Sequence, residues 1–598
     1  MVSFPRDEAL MTAGLDAWTL RAKSQCPPEW LVREERLEAR LGISHLRLPP
    51  EHRDPGVGID LPNQDIPFVR FPRWHYCHYC GGMEELPLFA KSRQKCGARP
   101  WPTRNCVNRK KKPYLIPVRF VTACLKGHIQ DFPFMSWVHR GQTMTQNCRL
   151  RLLAGRSSAG LTGIKITCTC GQIRSLGGIF DFNEQDGGAL HRLGCDCEGF
   201  RPWLGEWENP NGCGEFLQVV QRGASNVYFP HIVSSIYLPL WVESATSGVV
   251  RALEDPRVWE PLSSGLTDGN ISPDRCEMVA SMRGLDSSEL LEAARRKLQG
   301  IPEPSNAAVQ TEEAFRRSEY NALKDGHSAP QSDLFVKPAR LEDYGPGVTE
   351  SFSHISLIHK LRETRALAGF TRILPPDGDP GSPRLQALSL DKRIDWLPAI
   401  IVRGEGIFIG FEGARLDVWL EDNPWISDRI DRLNNTYNAR RIGQGQSPRP
   451  VTPKFVLLHT FAHVVINQLA FDCGYGSASL RERLYFDADN VEDSMCGVLI
   501  YTASGDSEGS MGGLVRQGES KTFERLVARA IDRARWCSSD PVCIESSGQG
   551  TDSCNLAACH GCCLIPETSC EEGNRLLDRA LLVGTPTTGQ MGFFSTDQ

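Results

Sequence analysis

The grouping of its cysteines is the feature that most constrains how this chain folds. The sequence has 22 cysteines, and they are concentrated in three groups separated by long stretches without one, such as 277–472. Grouped cysteines at short spacings indicate metal thiolates in a reducing compartment, whereas secreted disulfide proteins are typically shorter and carry an export signal. The start MVSFPRDEAL shows no charged and then apolar signal segment, and the longest apolar runs are shorter than the ~18–20 residues that cross a bilayer. We therefore expect a cytoplasmic protein.

The first group begins with a Cys77-x2-Cys80 knuckle and continues with Cys96 and Cys106. A knuckle of this spacing places two thiolates on one side of a tight turn, and a second pair completes a tetrahedral zinc site. The first group therefore predicts one structural zinc ion.

The second group consists of two close pairs and a single cysteine further along. We predict a zinc site made by Cys168, Cys170, Cys197 and Cys213, with Cys195 as the spare residue. The alternative is that these cysteines only pack under a β-rich loop.

The third group is the densest, and it lies near the end of the chain. Its members are Cys537, Cys543, Cys554, Cys559, Cys562, Cys563 and Cys570. We predict that Cys559, Cys562 and Cys570 bind zinc with Cys543 or Cys537, and the choice between Cys562 and Cys563 stays open. A redox Cys-x-x-Cys motif would open a helix directly after a strand, but a loop precedes this knuckle.

The other reactive residues do not complete a known catalytic motif. His459 and His463 have the spacing of an HExxH metalloprotease, but Thr460 stands where the general base would be. The glycine-rich loop after CGVLIYTAS lacks a Walker A lysine. We therefore predict no enzymatic activity for this chain. The alternative is a zinc-dependent nuclease, or another metal enzyme acting on nucleic acid, that uses His128, Asp131 or His459.

Composition limits the possible partners. The formal net charge is -5, so the whole molecule is not a basic nucleic-acid binder and DNA contact requires local basic patches. The candidates for contact with the phosphate backbone are Arg109, Lys110, Lys111, Lys112, Arg440 and Arg441.

The length of 598 residues predicts several domains in a mixed α/β (α+β) multidomain chain. We expect zinc-ribbon-like β modules in the N-terminal half, a helical insertion, and a C-terminal α/β module capped by a four-cysteine zinc site. The predicted segments are 1–67 (N-terminal helical segment), 68–160 (first zinc-ribbon-like module), 161–244 (second cysteine-rich β module), 245–345 (helical insertion), 346–450 (mixed α/β region) and 451–598 (C-terminal helicase-associated zinc-binding module).

Several long motifs resemble known proteins. LLHTFAHVVINQL, GVLIYTASGDSEGSMGGL and AACHGCCLIPETSCEEGNRLLDRALL together are similar to the zinc-binding module of MrfA-type DNA repair helicases. GLDAW, RFVTACLKGHIQDFPF, RPWLG, QRGASNVYFP and CSSDPVC occur in the order found in the DrmB family, which belongs to the DISARM anti-phage defence system. The resemblance covers nearly the whole chain.

This resemblance implies a role within a complex. DrmB-like proteins work as a heterodimer with DrmA, a separate helicase subunit that supplies the ATPase, and the pair engages DNA. A methyltransferase and other subunits complete the system. We therefore expect a non-catalytic, DNA-binding scaffold subunit with two to three structural Zn2+ sites.

Overall fold

The protein divides into two compact units, each built from three separate stretches of chain. The structure is a computed structural model that describes residues 2–595 apart from 5–7, 19–25, 27–29, 51–65, 90–91, 98–99, 108–111, 143–146, 155–159, 210, 239–246, 267–269, 300–311, 328–331, 377–380, 488–493, 503–512 and 586–590. The first unit comprises Met1–Leu31, His45–Val233 and Ala366–Ala399, and the second comprises Val32–Ser44, Ser234–Arg365 and Ile400–Gln598. The boundaries of the six segments that the sequence predicts remain predictions.

Most strands are short, and three are long. In chain order they are β1 (Val2–Phe4), β2 (Glu8–Thr12), β3 (Leu31–Val32), β4 (His45–Arg47), β5 (Phe68–Arg70), β6 (Trp74–Tyr76), β7 (Met83–Glu85), β8 (Ile116–Pro117), β9 (Phe120–Ala123), β10 (Ile129–Asp131), β11 (Leu150–Ala154), β12 (Ile164–Cys168), β13 (Ile173–Ser175), β14 (Phe200–Arg201), β15 (Glu206–Trp207), β16 (Gln218–Gln221), β17 (Phe229–Ile236), β18 (Phe335–Pro338), β19 (Phe352–Thr371), β20 (Trp396–Phe411), β21 (Leu480–Phe486) and β22 (Cys496–Thr502).

The helices concentrate in the middle and the C-terminal part of the chain. They are α1 (Glu35–Leu41), α2 (Arg104–Val107), α3 (Phe134–His139), α4 (Gly188–His191), α5 (Ser247–Glu254), α6 (Pro256–Ser264), α7 (Pro273–Arg283), α8 (Ser287–Gln299), α9 (Glu312–Asp325), α10 (Pro346–Thr349), α11 (Gly413–Asp422), α12 (Trp425–Gly443), α13 (Pro453–Cys473), α14 (Gly513–Gln517), α15 (Ser520–Ala534) and α16 (Ala580–Val583).

The first unit contains several small antiparallel sheets in place of one large one. The strand orders are β1-β2-β5, β7-β6-β8, β10-β9-β16, β11-β12-β13 and β14-β15. Sheets of two or three short strands bury little apolar surface, so they need additional cross-links to be stable. Together with the mid-chain helices and the C-terminal cysteine cluster, these sheets confirm the predicted mixed α/β multidomain class.

The second unit is organised around α13 and a larger sheet. In that sheet β17, β19, β20, β22 and β21 are neighbours in this order. The helix begins at Thr452, whose side chain accepts a hydrogen bond from the Phe455 N–H at 3.2 Å, and ends before Gly474, whose φ of +70° suits glycine. By length and composition α13 could cross a membrane, but 78% of its most apolar window is buried in the protein. A helix that is apolar on all sides and buried in this way is a core helix.

A buried ion pair fixes α9 on the sheet of the second unit. The guanidinium of Arg483 donates to both carboxylate oxygens of Glu319 at 2.7 and 2.9 Å, and the Tyr485 hydroxyl donates to the same carboxylate at 3.3 Å. Glu319 is fully buried and Arg483 is 2% exposed. Each charge is therefore tolerated only because the other is present.

We predict that Glu319→Gln destabilises the second unit by about 3–5 kcal/mol, because it leaves the Arg483 guanidinium buried without its counter-charge. A denaturant titration that follows this unit measures the change in the free energy of unfolding. The control is Glu313→Gln, the same chemical change at an exposed position of the same helix. Equal stability of the two variants would contradict the prediction.

Candidate metal centres

Within the part of the chain that the structure describes, five groups of cysteine, histidine and glutamate side chains converge. Within each group the four donor atoms lie within 4.8 Å of one another. The groups are cluster 1 (Cys77, Cys80, Cys96, Cys106), cluster 2 (Cys124, His128, Cys197, Cys213), cluster 3 (His139, Cys148, Cys168, Cys170), cluster 4 (Cys537, Cys543, Cys559, Cys562) and cluster 5 (His459, His463, Glu482, Cys570). The first three lie in the first unit and the last two in the second.

Cluster 1 brings together the four cysteines that the spacing predicts for the first group. The Sγ atoms of Cys77 and Cys106 are 3.6 Å apart, as are those of Cys80 and Cys96. The knuckle turn closes through Gly81, whose φ is +75° and whose N–H donates to the Cys77 carbonyl at 2.7 Å. A side chain at this position would meet the Leu152 carbonyl oxygen at 2.2 Å, so glycine is required.

The sulfur spacing in cluster 1 fits a tetrahedral thiolate site. Zn–S bonds of about 2.3 Å give sulfur–sulfur edges of about 3.8 Å. A disulfide would hold the sulfurs about 2.05 Å apart, so the observed pairs are free thiols. The Gly82 N–H donates to Cys80 Sγ at 3.4 Å, and the Thr103 hydroxyl donates to Cys106 Sγ at 3.0 Å. Donors aimed at the sulfurs stabilise thiolates, so the residues present fit a zinc ion.

Cluster 2 joins the turn between β9 and β10 to a loop almost ninety residues further along. Cys124 and His128 flank a turn closed by Gly127, and the Sγ atoms of Cys124 and Cys213 are 3.9 Å apart. His128 directs Nδ1 toward the cluster, 3.5 Å from Cys124 Sγ, and its Nε2 lies 2.5 Å from Glu208 Oε2. A carboxylate on the outer nitrogen orients a metal-ligating histidine in this manner.

Asp131 does not complete a thiol-based catalytic set with Cys124 and His128. Its Oδ1 instead accepts hydrogen bonds from the backbone N–H groups of Arg73 and Trp74 at 2.8 and 3.2 Å. Burial raises the pKa of Asp131 to about 6 despite these bonds. The carboxylate therefore anchors the start of β6.

Cluster 3 forms where α3 packs on the β12–β13 hairpin. The turn after β12 carries Cys168 and Cys170, and His139 at the end of α3 places Nε2 3.3 Å from Cys170 Sγ. The other nitrogen of His139 lies 2.8 Å from the Met135 carbonyl, which leaves Nε2 free to bind a metal. Trp137 donates its indole N–H to the Ser175 carbonyl at 3.0 Å and so fixes the helix on the hairpin.

The structure corrects the prediction of one site for the second cysteine group. Cys168 and Cys170 belong to cluster 3, whereas Cys197 and Cys213 belong to cluster 2. Sequence proximity was misleading here because each pair sits in its own turn and faces a different partner segment. The other members, His139 and Cys148 for one cluster and Cys124 and His128 for the other, lie far from these cysteine pairs in the sequence. Cys195 lies in neither cluster, as expected for the spare residue.

Cluster 4 shows which cysteines of the third group lie together. Both upstream cysteines take part: Cys537 Sγ lies 3.4 Å from Cys559 Sγ, and Cys543 Sγ lies 3.8 Å from Cys562 Sγ. The side chain of Cys563 instead packs in the apolar core, fully buried. Cys570 is outside this cluster, which corrects its predicted place beside Cys559 and Cys562.

A buried cation stands behind cluster 4. The guanidinium of Arg579 is fully buried, donates to the Ala534 carbonyl at 2.7 Å and pairs with Asp540. Asp540 in turn accepts the backbone N–H groups of Cys537 and Ile544 at 2.8 and 3.1 Å. Four thiolates around one zinc ion carry an excess negative charge, and Arg579 partly offsets it.

Cluster 5 differs from the others in its donors. His459 and His463 lie one turn apart on α13, Glu482 lies on β21, and Cys570 follows the knuckle loop. His459 Nε2 is 3.1 Å from Glu482 Oε1 and 3.2 Å from Cys570 Sγ. The two histidines therefore meet a carboxylate and a thiol from distant parts of the chain.

Without a cation, two of the buried cluster thiols favour the protonated form. Burial is the largest influence on both Cys80 and Cys168, and it raises the pKa of each to about 11. Metal binding requires thiolates, so a divalent ion must supply the positive charge that displaces these protons. The clusters thus couple metal uptake to proton release.

The predicted basic residues have different positions in the structure. Arg109, Lys110 and Lys111 lie outside the described residues, and Lys112 is half-buried. Arg440 is exposed near the end of α12, but Arg441 donates to the Ser447 carbonyl at 2.8 Å and lies over the Tyr437 ring.

We predict that Cys197→Ala lowers the zinc content by one ion per chain, whereas Cys195→Ala, two residues away, leaves it unchanged. The reason is that Cys197, unlike Cys195, places its sulfur in cluster 2. The same contrast is expected between Cys562→Ala and Cys563→Ala in the second unit. Elemental analysis of the purified chains measures the outcome, and zinc loss in both members of a pair would contradict the assignment.

Two family models match this chain, and together they contain most of the clusters. A domain of unknown function, DUF8724, matches residues 1–229, which include clusters 1, 2 and 3. The MrfA Zn-binding domain matches residues 461–563, which include all of cluster 4 but neither His459 nor Cys570. The zinc-binding character of the C-terminal module therefore has independent support.

One relative matches nearly end to end. The DISARM protein DrmB of Bacillus paralicheniformis is 32% identical over 549 residues, covering 89% of this chain and 91% of the relative. A crystal structure of the DUF1998 helicase MrfA bound to DNA aligns with 41% of this chain and 29% of that one, at 9% identity and a TM-score of 0.17. On the strength of the match to DrmB and of its ordered motifs, this chain belongs to the DrmB family of DISARM proteins.

Proposed function

We propose that the chain is a non-catalytic scaffold subunit that forms a heterodimer with a DrmA-like SF2 helicase and helps it hold DNA during anti-phage defence in the cytoplasm. Membership of the DrmB family supports the role in defence. The resemblance supports the helicase as the partner that supplies the ATPase, with a methyltransferase of the same system as a further partner. Structural zinc ions in the thiolate-rich clusters hold the polar loops in place.

The observation that carries the DNA-binding part of this proposal is an exposed basic face on α15. Lys521, Arg525, Arg529 and Arg533 follow one another at intervals of four residues, and all four are exposed. We call these residues the α15 basic face. The opposite face is buried and comprises Phe523, Leu526, Val527, Ala530, Ile531 and Ala534. The helix is thus fixed in the core while its cationic side faces solvent.

The dimensions and charge of the α15 basic face suit a phosphate backbone. Twelve residues of helix span about 18 Å, which is long enough to face several successive phosphates of one strand. Arg529 also pairs with Asp472 at 3.3 Å, so one of the four charges is partly offset within the protein. The remaining charges are available for contacts with phosphate.

Exposed aromatic rings lie beside this basic face. Trp536 follows α15 directly and is 71% exposed, and Phe471 at the end of α13 is 73% exposed. The Arg533 guanidinium lies 5.2 Å from the centre of the Phe471 ring. Aromatic rings next to a basic groove stack on unpaired bases with little sequence preference. A surface of this kind favours single-stranded DNA, which a helicase produces.

The metal clusters favour a structural role over catalysis. Each of the five supplies four protein donors, whereas a catalytic zinc keeps a position open for water or substrate. A zinc ion in cluster 4 would also fix the chain next to Trp536, because Cys537 of cluster 4 is the residue that follows Trp536. The proposed scaffold therefore links metal binding to the shape of the DNA-binding surface.

We predict that Lys521→Glu/Arg525→Glu weakens the binding of single-stranded DNA by the copurified helicase complex and lowers the slope of log K against log salt by about 2, one for each lost phosphate contact. Fluorescence anisotropy over a series of salt concentrations measures both quantities.

The control for this experiment is Lys165→Glu/Lys392→Glu, which makes the same change in net charge at two exposed lysines of the first unit. An unchanged salt slope in the α15 variant would show that its basic face is only solvated. Failure of the wild-type chain to copurify with the helicase would contradict the partnership itself.

We also predict that the purified chain does not cleave labelled DNA, with or without added Mg2+ or Mn2+. Cleavage by the wild type that disappears in His128→Ala would contradict the scaffold proposal and support the zinc-dependent nuclease.

Thiol titration of native and chelator-treated protein separates metal thiolates from a redox sensor built on cluster 4, because only bound metal protects the thiols until it is removed.

A further inference from the structure

We propose that cluster 5 is a second metal site of the second unit, in which His459, His463, Glu482 and Cys570 bind one zinc ion separately from the four thiols of cluster 4. In the sequence His459 and His463 have the spacing of a metalloprotease motif without its general base, and the matched zinc-binding model ends before Cys570. The inference concerns metal binding alone and is independent of the proposed contacts with DNA and helicase.

The first argument is the convergence of the four donors in the interior. His459, His463 and Glu482 are completely buried, and Cys570 is 8% exposed. A carboxylate and two imidazoles are costly to bury unless each polar atom has a partner. The four donor atoms nevertheless lie within 4.8 Å of one another.

The second argument is that the side chains of this cluster do not satisfy one another. Among the described residues, Glu482 Oε2, His459 Nδ1 and His463 Nε2 are buried without a hydrogen-bond partner. His463 Nε2 approaches the Glu482 carboxylate only to 3.5 Å. A purely hydrogen-bonded network at this position would leave several polar atoms unpaired, whereas a metal ion gives His463 Nε2 a bond.

The third argument is that the surrounding residues orient the donors as they do around bound metals. The Cys570 sulfur accepts the backbone N–H groups of Glu572 and Asn574 at 3.3 and 3.2 Å. His463 Nδ1 lies 2.9 Å from the Cys563 carbonyl, which assigns the proton to Nδ1 and leaves the Nε2 lone pair for a ligand bond. The Glu571 N–H donates to Glu482 Oε1 at 3.2 Å.

Charge and ligand chemistry select the ion. Glutamate and thiolate together carry two negative charges, so a divalent ion yields a neutral site that can be buried without a counter-ion. Two imidazoles, one thiolate and one carboxylate form a donor set that zinc accepts in tetrahedral geometry, whereas magnesium and calcium require oxygen ligands. The site would connect α13, β21 and the segment after the knuckle.

The test counts zinc in the full-length chain with Glu482→Gln and, separately, with Cys570→Ala. Glu482→Gln preserves side-chain volume and the acceptor for the Glu571 N–H, so it keeps the fold while removing the ligand charge. We expect each variant to lose one zinc ion per chain relative to wild type. The control is Cys496→Ala, which changes a cysteine in the same apolar core that belongs to none of the five clusters and should retain every ion.

Unchanged zinc content in folded Glu482→Gln and Cys570→Ala would overturn the proposal. Cys562→Ala provides the comparison with cluster 4: its loss must add to that of Glu482→Gln in the double variant, giving two ions fewer in total. If the variants do not fold, the anomalous signal at the zinc edge from wild-type crystals decides the question. A peak between the four side chains supports the site, and a peak at cluster 4 without one at cluster 5 overturns it.

Discussion

The convergence of cysteine and histidine donors from distant loops is the constraint on which the first unit depends. Its sheets have two or three short strands, and such sheets bury too little apolar surface to be stable alone. Clusters 1, 2 and 3 join the turns of these sheets to segments up to almost ninety residues away. Structural zinc in modules of this size contributes on the order of 10 kcal/mol to folding, enough to offset the entropy of ordering polar loops.

The second unit is stabilised in a different way. It contains a predominantly apolar core helix, a sheet with long strands and a buried Arg483–Glu319 pair, all features of a fold held by packing. Cluster 4 lies at the knuckle, near the edge of this packing, whereas the donors of cluster 5 are buried inside it. The metal clusters of this unit therefore add to a packed core, whereas in the first unit they join sheets that bury little apolar surface.

The sequence predicts the cysteines that come together because they are close along the chain. It does not predict the residues that come together only through the tertiary fold. Cys77-x2-Cys80 and Cys559-x2-Cys562 were recognisable because a tight turn by itself juxtaposes their sulfurs. By contrast, the split of the second group depends on α3 packing against one hairpin and on the β9–β10 turn meeting a distant loop. One local signal points to cluster 2: in RFVTACLKGHIQ, Cys124 and His128 flank a turn that contains glycine, as the knuckle at Cys77 and Cys80 does. The mixed α/β class followed from the strand-like and helical patterns, but the two discontinuous units did not.

Cys562 and Cys563 are adjacent in the chain, and each contributes an atom to a contact in a different cluster, so the length of chain between these two contacts is fixed. The Cys562 sulfur belongs to cluster 4, while the carbonyl of the next residue faces His463 of cluster 5. Consecutive backbone N–H groups from Cys562 to Leu564 all donate to the Cys559 carbonyl, which holds this segment tightly. A single inserted or deleted residue here would withdraw one of the two contacts. The spacing of this pair therefore fixes how the chain passes from cluster 4 to cluster 5.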